Sequence, residues 1–169
     1  MAGTGFLKLA PQPLDRASFA PFGEVIDIGS AQPQAINDGT TDRYSDLARI
    51  DAGDHGDPVI GIYVARARAL PLQLTRLERH REASQVFLPL GMHRFIVVVA
   101  PGIEAPEWDA LRAFITAPGQ GVVLRRSCWH HGLVALGDGD RFAVLEGANY
   151  RADTLEVDVP GPIALIAPG

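Results

Sequence analysis

LTRLERHREASQVFLPL (residues 74–90) reads as a strand, a short turn and a second strand. Side chains on a strand alternate between its two faces. Leu70, Leu72 and Leu74 therefore share a face with Arg76, Glu78 and His80, greasy at one end and ionisable at the other. The simplest geometry is the lining of a β-barrel, with the polar end toward its mouth. After a turn through Arg81 to Ser84, Gln85 opens the next strand on the same face as Phe87. Paired as a hairpin, the two strands bring Gln85 near His80.

RRSCWHHGLVAL (125–136) is the second place where imidazoles meet other polar residues. Between and around these stretches the chain shows short β-rich segments cut by Gly, Pro and Asp. Strands are expected at 24–28, 59–65, 70–79, 84–90, 94–100, 111–116, 121–124, 131–136, 141–145 and 154–157. Weaker ones are expected at 6–9 and 163–166. Gly91-Met92-His93 and Asp138-Gly139-Asp140 read as hairpin loops, the latter because Asp-Gly tolerates positive φ. Asp15 caps a short helix over 16–20, and 106–109 adds a helical turn. Many short strands at near-regular spacing predict an all-β barrel or jelly roll with one or two short helices. The polar segment 30–56 is the expected loop over a site, and His55 is expected to be exposed.

The 169 residues suit one domain, 1–169. Hydrophobic residues are 47% and charged residues 21%, ordinary for a globular core. The net charge of −5 argues against nucleic acid or an anionic membrane as partner. A small anionic substrate needs only one or two local arginines. Cys128 is the single cysteine, so no internal disulfide can form, and a reduced, cytoplasmic setting is expected. Neither a signal peptide nor an apolar run of membrane-spanning length is read.

The spacing Glu78-x-His80-x4-Gln85, followed later by His130, resembles a metal-binding cupin motif, His-x-His-x4-Glu and then His, altered at two of four positions. Oxygen and imidazole donors suit several divalent ions and select no single one.

The chain as a whole resembles the ureidoglycolate lyase family, formerly called ureidoglycolate hydrolases. The matching segments are PFGEVID (21–27), INDGTTDRYSDLA (36–48), LERHREASQVFLPL (77–90), VVVA (97–100), LRAFIT (111–116), QGVVL (120–124) and WHH (129–131). The resemblance implies a cupin-type β-barrel, a homodimer, and cleavage of (S)-ureidoglycolate to glyoxylate and urea in allantoin and purine catabolism. It links the family to a divalent metal such as nickel, which the residues here do not demand. The turn 124–128 departs from the family pattern, as do Arg141-Phe142 and Glu146-Gly147.

That chemistry needs a base, an acid and a grip on a carboxylate. His80 and His130 are the expected catalytic pair, either moving protons or holding a metal. Glu78 orients His80 or acts as base. Gln85 meets neutral polar atoms of the substrate or offers its carbonyl oxygen to a metal. Arg43 or Arg112 is the expected carboxylate clamp, since a guanidinium fork matches that shape. Trp129 is expected as a pocket wall or a core residue, and His131 as structural. Two other activities fit the same residues: an amidohydrolase releasing ammonia, and a non-catalytic cupin that binds a small oxo-acid.

Overall fold

The computed structural model describes residues 7–54 and 56–169. Phe6 and His55 lie outside the described residues. The strands are β1 (Leu7–Leu9), β2 (Gln12–Pro13), β3 (Gly23–Ile26), β4 (Gln34–Ile36), β5 (Thr41–Arg43), β6 (Pro58–Val64), β7 (Leu72–His80) and β8 (Gln85–Pro89). They continue as β9 (Phe95–Ala100), β10 (Arg112–Ile115), β11 (Gly121–Leu124), β12 (Trp129–His130), β13 (Val134–Ala135), β14 (Arg141–Gly147) and β15 (Thr154–Leu165). Two short helices, α1 (Arg16–Phe19) and α2 (Tyr150–Asp153), complete the set, with a 3-10 turn at Trp108–Ala110. Asp15 caps α1, its carboxylate accepting from the N–H groups of Ala17 and Ser18 at 2.9 and 3.0 Å. The 3-10 turn begins two residues after the helical turn expected from Pro106, and α2 was not foreseen.

The strands form two facing sheets in a cupin-like β fold. One runs β1-β15-β7-β12-β9-β10-β2, with β13 also on β9, and the other runs β3-β11-β8-β14-β6. The β4–β5 hairpin pairs with neither. The expected hairpins are not formed. β7 and β8 lie in different sheets, as do β8 and β9, and β13 and β14. Each short turn therefore carries the chain across the barrel. Turn residues specify a reversal; the partner a strand finds is set by which faces it can bury.

β9 shows the principle. Phe95, Val97 and Val99 enter the core between the sheets, with Phe87, Phe114, Val122, Leu124, Phe142 and Val144. Ile96, Val98 and Ala100 point the other way, into a second apolar cluster with Trp129, Ile163 and Leu165. Both faces are buried, so the sequence FIVVVA is apolar without alternation.

β7 departs from strict alternation. Leu74 and Leu77 both join the second cluster, although they are three residues apart. The ladder to β15 shifts here: Arg76 faces Asp158, but Leu74 faces Ile163, leaving Val-Pro-Gly-Pro (159–162) bulged between. The leucines at 70–74 are thus not the floor beneath Glu78 and His80. That floor comes from the phenylalanines and valines of other strands. Glu78 faces His130 in the ladder, and His130 faces Val99, which points inward. Arg76 and Glu156 continue the Glu78 face into solvent, joined at 2.9 Å.

Candidate active site

Four polar side chains converge on the inner face. Glu78 and His80 come from β7, Gln85 from β8 and His130 from β12. Ligand atoms of Glu78, His80 and His130 lie within 4.8 Å of one another. The two imidazole centroids are 5.4 Å apart. His130 is 1% exposed, Gln85 4% and His80 8%, while the Glu78 side chain keeps 26% of its surface open.

Hydrogen bonds fix the ring states. The Thr154 hydroxyl donates to Tyr150 O at 2.8 Å, so its oxygen accepts from His80 Nδ1 at 3.3 Å. The proton of a neutral His80 is therefore on Nδ1. Its Nε2 is a buried lone pair with no hydrogen-bond partner among the described residues. Burial holds the His80 pKa below its ordinary value, with the neighbouring His130 adding to the depression. His130 is the opposite case. Nδ1 faces Cys128 O at 2.9 Å, and Nε2 faces Gln85 Oε1 at 3.1 Å and Glu78 Oε1 at 3.4 Å. Both nitrogens meet acceptors. The ring is satisfied as an imidazolium, or as a neutral ligand with a cation at Nε2. Contact with His130 holds the Glu78 carboxyl below its usual range against the opposing effect of burial.

Gln85 is oriented by Glu146, whose carboxylate accepts from the Gln85 amide at 3.0 Å. Burial pushes the Glu146 carboxyl up, and the charge of Glu78 adds to that. Tyr63 is raised as well, by burial and then by Glu146 and Glu78. Glu146, Tyr63 and Thr154 were not anticipated. A signal for Glu146 was present: in RFAVLEG it alternates with Phe142 and Val144, both core residues. The Glu78 carboxylate contacts His130 Nε2 at 3.4 Å, where the expectation was a contact with His80 or a role as base.

Family profiles and relatives agree on the chain. The description matching residues 6–165 is "Ureidoglycolate lyase". The chain belongs to the ureidoglycolate lyase family. It is 43% identical over 155 residues to a ureidoglycolate lyase of Burkholderia mallei, covering 90% of this chain and 89% of that protein. It is 42% identical over 148 residues to one of Azotobacter vinelandii, covering 86% and 89%. One of Rhodobacter capsulatus is 40% identical over 156 residues, covering 92% and 96%. Membership makes the chain a lyase acting on a small molecule. No helix among the described residues is long and apolar enough to cross a membrane.

In this member of the ureidoglycolate lyase family, three expected substrate-binding residues stand apart from the histidines. Arg43 is exposed on the β4–β5 hairpin, hydrogen-bonded to Gln34. Trp129 is fully buried on the outward face, with the Arg79 guanidinium 4.3 Å over its ring. Neighbours on a strand face opposite ways, so a Trp beside His130 could not share its pocket. Arg112 pairs with Val99 and so shares a row with His130. Its guanidinium turns over Phe114 at 5.2 Å and donates to Ser18 O at 3.4 Å. The His131 ring bonds Gly132 O at 2.8 Å. Cys128 is buried and its thiol is pushed up to about 12, so it is no nucleophile. The end of the polar segment 30–56 is pinned to the barrel rim, Asp51 pairing with Arg126 at 2.6 Å and Ser84 Oγ accepting from Asp51 N at 2.9 Å.

Proposed function

We propose that the chain, as one domain, cleaves (S)-ureidoglycolate by elimination, with His80 and His130 in complementary proton roles. The opposed hydrogen-bond states of the two rings carry this reading. His80 Nε2 is a free base, positioned to take the hydroxyl proton. His130, its Nε2 held between Glu78 and Gln85, is positioned to protonate the departing urea nitrogen. The C–N bond breaks as the hydroxyl carbon becomes the aldehyde of glyoxylate. No water enters, so the products are glyoxylate and urea. General acid–base catalysis of this kind contributes about 10²–10⁴-fold.

The donor set also fits a divalent cation. Glu78, His80 and His130 would hold it, and the unpartnered His80 Nε2 supports the fit. A bound cation would polarise the substrate hydroxyl and carboxylate. It would also answer the negative charge of Glu78 and Glu146, which does not favour an anionic substrate. Arg112 is the proposed carboxylate grip, since it shares the His130 row. Product analysis tests the reaction: urea with glyoxylate supports it, ammonia points to an amidohydrolase, and no turnover points to a binding protein.

The proposed assembly is a cytoplasmic homodimer that takes neither nucleic acid nor membrane as partner. Its surface is β6, the outer strand of its sheet. All seven residues are exposed and none is charged. Ile60, Ile62 and Val64 form a ridge on one face, 69%, 50% and 65% exposed. An unprotected apolar edge of this kind marks an interface, and antiparallel pairing of two copies is self-complementary.

A further inference from the structure

On the other side of β7 from the histidines lies a cavity of about 490 Å³. Its lining is rich in arginine: Arg79 and Arg81 from the end of β7 and beyond, and Arg125 and Arg126 from the turn after β11. The Arg126 charge is already answered, because Asp51 accepts from both its Nε and its NH2 at 2.6 Å. The other three have no carboxylate within 4 Å among the described residues.

Arg79 is the anchor. It is 3% exposed, stacked over Trp129, and donates from NH1 to Ile103 O. Its Nε–H is buried without an acceptor among the described residues. A guanidinium this buried is ordinarily paired. Arg81 is exposed and its side chain makes no hydrogen bond among those described. Arg125 reaches Ala20 O with one nitrogen and leaves the rest of its fork open. Residues 101–104 form another part of the lining. Gly102 has φ +128°, and a Cβ there would sit 2.0 Å from Ala105 O, so only glycine lets this loop fold back. One carboxylate, Glu104, also lines the cavity. Three unanswered guanidinium groups against that single carboxylate leave two positive charges in excess.

We propose that this cavity binds a small oxyanion carrying two negative charges, a dicarboxylate or a phosphate, at a site separate from the histidine cluster. Guanidinium forks match both anions through paired N–H donors. Among the described residues no imidazole lines the cavity, and the Cys128 thiol at its wall is pushed up to about 12. The proposed role of the site is to bind its ligand. This goes beyond the proposed reaction and does not depend on it.

Titration calorimetry at low ionic strength, with malonate and separately with inorganic phosphate, tests the site. Wild type should bind one anion per chain saturably. Arg81→Gln, and separately Arg125→Gln, should each weaken binding about tenfold, the worth of a charge-assisted hydrogen bond. Arg76→Gln, on the solvent-exposed part of the same strand, should leave it unchanged. Tighter malonate identifies a dicarboxylate site, and tighter phosphate identifies a phosphate site. The proposal is overturned by the absence of saturable binding for either anion. It is equally overturned by binding that survives both substitutions, or that Arg76→Gln weakens to the same extent.

Discussion

His130 Nε2 stands 3.1 Å from Gln85 Oε1, on strands that belong to different sheets. The contact joins the two halves of the barrel at its polar end. It also presents the ring with an acceptor where a neutral Nδ1–H tautomer offers only a lone pair. The state of His130 is thus set across the barrel rather than along its own strand.

Replacing either imidazole should remove a proton step. His80→Ala and His130→Ala are each expected to lower kcat by about 10²–10⁴-fold, with unchanged circular dichroism. Steady-state assays of urea release check this. Normal turnover by both variants would end the proposed mechanism.

His80 has a folded pKa below its ordinary 6.5. The unfolded chain therefore binds more protons in the window between the two values. The contribution of neutral His80 to stability is complete above 6.5 and is lost as pH falls from there through the folded value, with a limiting slope of about 1.4 kcal/mol per pH unit. The stability difference between wild type and His80→Gln, followed by urea denaturation from pH 7.5 to 5, should shrink toward acid. The acid limb of kcat/KM should also lie below 6.5, where the free base is lost. A pH-independent difference would mean that His80 stays uncharged throughout or is held by another group.

Gln85→Leu keeps the size of the side chain but removes the bridge between His130 and Glu146. Buried His130 and half-buried Glu146 each lose a contact, so a loss of about 1–3 kcal/mol is expected. A shift in denaturation midpoint checks it. An unshifted midpoint would show that neither group relies on the amide.

Divalent cation binding should raise the melting temperature by mass action. Titration of chelator-treated protein with nickel is expected to show one site per chain, with the rise abolished in Glu78→Gln and His80→Ala. A rise that persists in both variants would place the ion elsewhere.

The dimer surface is tested with Ile60→Lys combined with Ile62→Lys. Light scattering should then report half the wild-type mass, with the secondary structure retained. A wild-type monomer, or a dimer unaffected by both lysines, would discard β6 as the interface.

Much of the barrel was legible because its strands carry their own signals. Gly121–Leu124 appears within the expected bounds, and Asp15 caps its helix as the residue order predicts. The end of β7 was harder. Nothing in Leu74-Thr75-Arg76-Leu77 announces that four residues of β15, far later in the chain, bulge opposite it. Arg43 looked like a clamp because it is an arginine in a polar loop. Its hairpin pairs with neither sheet, and residue type says nothing about that.

Residue order alone determined which side chains could do proton chemistry, because residue type and turn residues are local properties; it set the strand ends one residue short of His80 and of His130. The convergence of Glu78, His80, Gln85 and His130, and the placing of Trp129 and Arg43 away from them, were decided by tertiary structure. Which strands meet across the barrel depends on burying the apolar faces of many strands together, and no single stretch of chain contains that information.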